Sequence, residues 1–179
     1  MTTPLDQLKS VDLSHLSKSE AKEFTLLLEE LEKREKRESS MASFYDFVKT
    51  IWPEFIAGAH HKKMAEAFDK IANGESKRLI INMPPRHTKS EFASYLFPAY
   101  LLGKRPKLKI IEATHTADLA INFGRRVRDL IESDDYAEIF PATQLKADSR
   151  SAGKWTTSQG GEYYAAGIGG ALAGRGADL

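Results

Sequence analysis

The stretch that decides the fold is Arg78-Leu79-Ile80-Ile81-Asn82-Met83-Pro84-Pro85-Arg86-His87-Thr88-Lys89-Ser90. The apolar residues from Leu79 to Met83 predict a short buried strand. The two prolines that follow predict a turn, and Lys89-Ser90 predicts the start of a helix. A strand, a turn and a helix in this order, with Lys-Ser where the helix begins, are typical of a phosphate-binding loop.

A phosphate-binding loop surrounds a triphosphate with backbone N–H groups and a helix N-terminus. We expect Lys89 to reach the β- and γ-phosphates of ATP, and the Ser90 hydroxyl to ligate Mg²⁺. Met83 and Thr88 stand where the general pattern G-x-x-x-x-G-K-[ST] has glycine. The alternative is an ordinary strand–turn–helix in which Lys89 lies on the surface and Ser90 caps the helix. The nucleotide-binding candidates in the loop are Pro85, Arg86, His87, Thr88, Lys89 and Ser90.

The composition is that of a soluble globular protein. The chain has 179 residues, which suits one domain with a core and an appended arm. Its content of 41% hydrophobic and 28% charged residues is ordinary. No apolar run approaches the roughly 18 residues that a membrane span needs, and the N-terminus does not read as a signal peptide. The absence of cysteine excludes disulfides and thiolate metal sites.

The formal net charge of +1 conceals a strong asymmetry along the chain. Residues 77–128 hold 11 Lys and Arg against 3 Asp and Glu, a net charge of +8, whereas both flanking segments are net acidic. A basic segment of this kind favours an anionic partner, which is either a nucleotide or a nucleic acid. The alternative is a solvated basic surface.

Before the loop, hydrophobic spacing predicts helices only. Residues 5–38 predict a helical arm whose mixed-charge end is either solvated or binds a partner, and residues 1–40 form this arm or linker. Residues 41–57 predict a short aromatic helix packed on the core. Residues 59–72 predict a helix that ends at Asn73-Gly74.

After the loop, strands and helices alternate. A helix over 91–102, kinked by Pro98, precedes a strand over 107–113 and another helix. The apolar face of this last helix comprises Leu119, Phe123, Val127, Leu130 and Ile131. Residues 155–157 and 162–165 predict a hairpin. The alternation favours an α/β fold with a parallel sheet flanked by crossover helices.

Four segments resemble, in the same order, the large terminase subunits of tailed bacteriophages. Gly58–Lys63 resembles the helix before the ATPase loop of that family, and Lys77–Glu91 resembles the loop itself. Phe123–Ile131 resembles a crossover helix, and Gly174–Leu179 resembles the run that leads into the acidic Walker B strand. The loop of that family is itself a deviant Walker A with proline and arginine in place of glycines. The resemblance covers roughly residues 50–179 and does not extend to residues 1–40.

The resemblance implies a P-loop NTPase fold of the RecA/ASCE-like kind over residues 41–179. It also implies an incomplete sheet, because the Walker B aspartate and catalytic glutamate of the family would follow Leu179, and a nuclease domain that is absent here. Without that glutamate no base polarises the attacking water. We therefore expect residues 1–179 alone to bind nucleotide weakly and to hydrolyse it poorly.

The implied function is ATP-driven packaging of viral double-stranded DNA into the procapsid. The implied cofactors are ATP and Mg²⁺. In that family the full-length protein also cuts DNA. The implied partners are DNA, the portal protein and the small terminase subunit, around a homo-oligomeric ring in the host cell cytoplasm with no membrane. Duplex DNA would be held through its backbone charge. Two alternatives stay open: another helicase or translocase ATPase, and a non-catalytic fragment that binds nucleotide or a partner.

The resemblance also assigns roles near the loop. Arg86 would stabilise charge on the γ-phosphate, with a salt-bridging loop arginine as the alternative. His60 or His61 would contact the adenine edge, with a plain histidine pair at a helix start as the alternative. No zinc site is expected from His60, His61, His87 and His115, because their spacing is not that of a metal site.

Two further basic features are candidates for contacts with other molecules. Arg175 lies between glycines and is a candidate arginine finger that acts on a neighbouring subunit; otherwise it is a flexible loop residue. Arg125, Arg126 and Arg128 cluster on a helix and either face DNA or a neighbouring subunit, or form a solvated face.

Overall fold

The computed structural model describes residues 4–11, 15–170, 172 and 174–179. The chain divides into two compact units, Met1–Ser39 and Ser40–Leu179. None of the helices in the described ranges is long and apolar enough to cross a membrane.

The first unit is helical. Helix α1 spans Pro4–Lys9, and helix α2 spans Lys18–Ala42, so α2 continues past the predicted boundary at residue 40. A capping box begins α2: Glu20 N–H donates to Ser17 Oγ at 3.3 Å, and Ser17 N–H donates to Glu20 Oε2 at 2.9 Å. The Lys9 ammonium lies 2.8 Å from Glu32 Oε1 and joins α1 to α2.

The second unit contains the remaining helices. They are α3 (Phe44–Ile51), α4 (Ala59–Ala72), a π-helical segment (Glu91–Leu96) that continues as α5 (Phe97–Lys104), α6 (Ala117–Ile131) and α7 (Asp134–Ile139). The predicted end of α4 is confirmed, since Asn73 is its C-cap and Gly74 has a φ of 78°.

Pro98 lies in the first turn of α5, directly after the π-helical segment. Proline has no N–H and cannot donate to the carbonyl four residues earlier. The preceding turn is widened, with Phe97 N–H donating to the carbonyl of Phe92. The predicted irregularity is therefore a π-helical turn before the proline.

The sheet has four strands in the order β1-β4-β3-β2. They are β1 (Lys109–Thr114), β2 (Leu145–Ser151), β3 (Lys154–Thr157) and β4 (Glu162–Gly167). The hairpin of β3 and β4 is confirmed, and β2, which sequence patterns did not predict, adds antiparallel to it. Of the strand pairs in the described part of the chain, only β1 and β4 are parallel. The fold is therefore mixed α/β with a small mixed sheet, and the expectation of a parallel sheet needs correction.

The predicted strand from Leu79 to Met83 is wrong. These residues are extended, but they join no ladder among the described strands, and Ile80 is 85% exposed. The edge of β1 opposite β4 is occupied instead by the last residues. Ile111 N–H donates to the Leu179 carbonyl at 2.9 Å, and Asp178 N–H donates to the Lys109 carbonyl at 2.7 Å. An apolar run forms a strand only where a neighbouring backbone supplies hydrogen-bond partners.

An aromatic cluster forms the core between the helices. The Phe44 ring of α3 is fully buried and meets Phe68, Phe92 and Phe97 edge-on, at centroid distances of 5.2 to 5.5 Å. Such edge-to-face pairs add to the free energy of burial. The cluster confirms the prediction that a short aromatic helix packs on the core, and it anchors the π-helical segment that follows the loop.

Helix α6 packs on the sheet through a close backbone approach. Trp155 of β3 stacks on Tyr163 of β4 at 4.8 Å, and its Nε1–H donates to the Gly124 carbonyl at 3.0 Å. A Cβ at Gly124 would lie 2.7 Å from the Ala152 carbonyl oxygen, so glycine is required there. Four of the five residues of the predicted apolar face are buried, and Leu119 is 44% exposed.

Candidate functional site

The loop between the extended segment and the π-helical segment lies toward the carboxyl end of β1. Ser94 of the π-helical segment lies beside the carboxylate of Glu112, which is in the second half of β1. The C-terminus of α5 leads directly into the beginning of the same strand. The helix therefore runs antiparallel to β1, with its N-terminus toward the carboxyl end of the strand. Ligands of open α/β sheets bind at this end.

The loop backbone adopts left-handed conformations at two residues that are not glycine. Arg86 has a φ of 63° and Thr88 a φ of 58°. Thr88 stands at the second glycine position of the general phosphate-loop pattern, and it keeps the backbone conformation that glycine allows there. A further bond braces the loop, since His87 Nδ1–H donates to the Pro85 carbonyl at 2.9 Å.

The Lys89 side chain turns back across the loop. Its ammonium donates to the carbonyls of Met83 at 3.2 Å and Pro84 at 3.4 Å. Among the described residues, no carboxylate lies within ion-pair distance of Lys89. The cation thus sits at the start of a helix with neutral partners only, although the helix dipole disfavours positive charge there.

Ser90 is exposed and already in the helical conformation, with φ −74° and ψ −35°. Its hydroxyl makes no capping hydrogen bond. Ser90 therefore stands at the N-cap position of the π-helical segment, but its side chain does not cap it. Within the described ranges, no group of three or more His, Asp or Glu side chains is arranged to hold a metal ion, so an ion beside Ser90 would need ligands from the nucleotide or from water.

His61 connects α4 to the loop. Gly58 N–H donates to His61 Nδ1 at 2.9 Å, so Nδ1 carries no proton. The proton of the neutral ring then lies on Nε2, which donates to Thr88 Oγ1 at 2.6 Å. The ring is only 6% exposed and packs between Phe55 and Phe92, with centroids at 4.8 and 5.5 Å.

Two more histidines flank His61. The His60 ring centroid lies 3.8 Å from that of His61 and 5.9 Å from that of His87. Burial lowers the pKa of His61, and the neighbouring His60 and His87 lower it further. His61 is therefore held neutral, and both of its ring nitrogens are occupied. His60 is exposed, so it is the member of the pair that remains accessible to a ligand.

Glu91, the residue after Ser90, forms an ion pair with α6. Arg126 forms a bidentate pair with the Glu91 carboxylate, with Nη1 and Oε1 3.0 Å apart. Its guanidinium lies 4.1 Å from the centre of the Tyr95 ring. The hydrogen bonds that Arg126 donates to Glu91 raise the pKa of Arg126. This pair joins the N-terminus of the π-helical segment to α6, and sequence patterns did not indicate it.

The arginines of α6 therefore have different roles. Arg126 is held by Glu91, and the Arg128 guanidinium lies 2.7 Å from Asp129 Oδ1. Arg125 is exposed and makes none of the ion pairs found in the described part of the chain. The three do not form one cationic face, so a contact with DNA from this helix falls chiefly to Arg125.

Arg175 lies at the other end of the strands. Its guanidinium stacks on the Tyr164 ring of β4 at 3.8 Å, beside a cavity of about 210 Å³ that Lys109 and Glu162 also line. Lys109 and Glu162 are the first residues of β1 and β4. Within one chain, Arg175 is thus not brought together with Lys89 and Ser90. An action on a neighbouring subunit stays a prediction.

Glu112 is a half-buried carboxyl group that sequence reasoning missed. It lines a cavity of about 700 Å³ between β1, the extended segment and the last residues of the chain. Burial raises its pKa to about 7, against the effect of the Ser94 hydrogen bond. The Tyr163 hydroxyl is buried without a hydrogen-bond partner, and burial, with Glu112 nearby, raises its pKa. An acidic residue inside an apolar strand is the signal that could have revealed this position.

No protein family, curated protein or solved structure matches the chain.

Proposed function

We propose that this chain is the nucleotide-binding part of an ATP-driven motor that packages double-stranded viral DNA, as large terminase subunits do. The observation that carries the proposal is the loop geometry: a glycine-like backbone at Thr88, a lysine folded over the loop carbonyls, and an uncapped serine at the helix start. The sequence resemblance supports the more specific function, with the portal protein and small subunit as partners around a ring.

The residues present fit a magnesium–triphosphate. Among the residues that the structure describes, the Lys89 ammonium has two neutral carbonyls as partners, and phosphate oxygens are stronger acceptors for it. The exposed Ser90 hydroxyl is available as a metal ligand. When bound, Mg²⁺ would neutralise charge on the β- and γ-phosphate oxygens. Lys89 would bind the same oxygens, and the exposed Arg86 would stabilise charge on the γ-phosphate.

The adenine contact falls to His60. His61 spends both ring nitrogens on Gly58 and Thr88, whereas His60 is exposed beside the loop. A nucleotide whose phosphates occupy the loop would then extend its base along the beginning of α4.

Duplex DNA would bind to the basic segment 77–128. Seven of its cationic side chains are exposed: Lys77, Arg78, Arg86, Arg105, Lys107, Lys109 and Arg125. Exposed cations recognise the phosphate backbone without reading sequence, as a packaging motor requires.

The direct test is the substitution Lys89→Ala, followed by titration with ATP and Mg²⁺ in a calorimeter. Loss of the charge-assisted bonds should weaken binding by about 10-fold or more. Lys77→Ala, an exposed lysine outside the loop, is the matched control and should bind as the wild type does. Equal affinity of the wild type and Lys89→Ala would refute the phosphate-loop proposal.

A second candidate function is nucleotide binding without turnover. It is favoured by Glu91, the acidic residue beside Ser90, because its carboxylate is engaged by Arg126 and is not free to activate water. Steady-state phosphate release by the wild-type chain distinguishes the two. Rapid turnover that DNA stimulates would favour the motor, whereas tight binding with negligible turnover would favour the binding module.

A further inference from the structure

Thr88 is held in a conformation that its side chain disfavours. Its φ of 58° is left-handed, and a β-branched residue is strained there because its Cβ substituents crowd the backbone. Glycine would adopt the same φ without this cost. The surroundings must therefore supply interactions that keep Thr88 in place.

A continuous series of hydrogen bonds supplies them. Gly58 N–H donates to His61 Nδ1 at 2.9 Å, and His61 Nε2–H donates to Thr88 Oγ1 at 2.6 Å. The Thr88 hydroxyl then donates to the His87 carbonyl at 2.7 Å. The backbone N–H of Gly58 can only donate, so Nδ1 of His61 must accept and Nε2 must carry the proton. Thr88 Oγ1 then accepts from Nε2–H and donates its own proton to the His87 carbonyl. Glycine at position 88 could not take part, since the series needs an Oγ atom.

The support for this series is rigid. His61 lies in the first turn of α4, and its buried ring is held between Phe55 and Phe92. Phe92 belongs to the π-helical segment that directly follows the loop. The ring thus contacts the elements on both sides of the loop and bonds the residue before Lys89.

We propose that His61 is a positioning residue that holds Thr88 in the glycine-like conformation and so preorganises the loop for a polyphosphate. The inference rests on the proposed function for its ligand class. The contact between His61 and Thr88 itself can be tested without any nucleotide.

The bond that Nδ1 accepts from Gly58 N–H depends on a neutral His61. A second proton would go to Nδ1, which faces the Gly58 N–H donor. The titratable groups that face the ring are His60 from α4 and His87 from the loop, and their charges oppose that proton, whereas Phe55 and Phe92 are uncharged. Because the pKa of His61 is lowered on folding, this bond is complete above the unfolded-state value and is lost as the pH falls through the lower pKa of the folded state.

The test uses Thr88→Val, which keeps the branched Cβ but removes Oγ1, and His61→Gln, which replaces the ring. Each should weaken ATP binding by about 10-fold, and the double variant should bind no more weakly than either single variant. Thr25→Val and His115→Gln, both exposed, are matched controls that should bind as the wild type does. Melting curves establish that each variant is folded.

Heteronuclear NMR of the histidine nitrogens gives the readout that is independent of nucleotide. The wild type should show His61 as the Nε2–H tautomer, with its pKa lowered further in Thr88→Val, because the lost Oγ1 acceptor stabilises the charged ring more than the neutral one. An Nδ1–H tautomer in the wild type, or wild-type affinity in Thr88→Val, would overturn the inference. If Lys89→Ala leaves ATP binding unchanged, the proposed function fails, and the NMR result still decides whether the contact exists.

Discussion

Single residues here carry chemistry that their neighbours determine. Glu112 would be an ordinary carboxylate on a surface, but its place on β1, facing the cavity, raises its pKa to about 7. The pKa of His61 is lowered for the same main reason, burial, and the lowered pKa favours the neutral ring. Both groups are thus biased toward neutrality near pH 7, and both touch the helix or loop that contains Lys89.

The raised pKa of Glu112 makes stability depend on pH. The pKa of Glu112 is 4.5 in the unfolded chain and about 7 in the folded state, so between these pH values only the folded state keeps the proton. The free energy of unfolding therefore falls as the pH rises through this range. Glu112→Gln removes the effect. The variant should exceed the wild type in stability at pH 8 by on the order of 2 kcal/mol, and differ little at pH 4.5.

Urea unfolding of both proteins at the two pH values measures this difference. His61, whose pKa burial lowers, is common to both proteins, so its titration cancels in the comparison. Glu66→Gln on the exposed face of α4 controls for the amide substitution. An equal stability difference at pH 4.5 and pH 8 would contradict the role of Glu112.

At the scale of elements, the loop is held from three sides. Helix α4 contacts it through His61, α6 holds the following turn through Arg126, and α3 packs beneath through Phe44. A second tie links α3 to α4, since Phe44 N–H donates to Asp69 Oδ1 at 2.9 Å. The π-helical segment lies where these contacts converge, and π-helical turns often occur at functional sites.

Phe44→Ala should therefore destabilise the fold strongly. The ring is fully buried against three other phenylalanines, and its removal leaves a cavity that costs about 3 to 5 kcal/mol in the free energy of unfolding. Tyr45→Ala, at the next and half-buried position of α3, should cost less than half as much. Denaturant unfolding measures both values, and equal losses would show that the aromatic cluster is not the core.

At the scale of the whole molecule, the charge distribution sets the expected partner. The sequence is nearly neutral, yet its basic segment 77–128 carries a net +8. Long-range attraction of an anionic polymer follows the net charge of this segment. Direct contacts with phosphates fall to the cations that are not engaged in ion pairs as Arg126 and Arg128 are.

Binding of duplex DNA should fall linearly with the logarithm of salt concentration, and Arg125→Ala should reduce the slope by about 0.9 for the one phosphate contact that is lost. Arg34→Ala in the net-acidic N-terminal segment is the matched control and should leave the slope unchanged. Fluorescence anisotropy with a labelled duplex between low and physiological salt gives both slopes. An affinity for DNA that does not change with salt concentration would rule out a contact with the phosphate backbone of DNA.

The sequence by itself determined the local structure of this protein. The spacing of apolar residues predicted helices near α3, α4, α5 and α6, because helical periodicity depends on residues only three or four positions apart. Turn residues predicted the hairpin of β3 and β4, and Lys89-Ser90 marked the start of a helix. The loop was indicated as the candidate site by this local pattern, by the basic segment 77–128 and by the family resemblance.

Only the tertiary structure decided what depends on distant residues. The extended run from Leu79 to Met83 joins no described strand, because the edge of β1 is paired with residues some 70 positions later in the chain. Thr88 is held by His61, 27 residues away, and Glu112 gains its altered pKa from the helix and strands around it. Hydrogen-bond pairing and burial are set by which segments meet in space, and local periodicity carries no information about that.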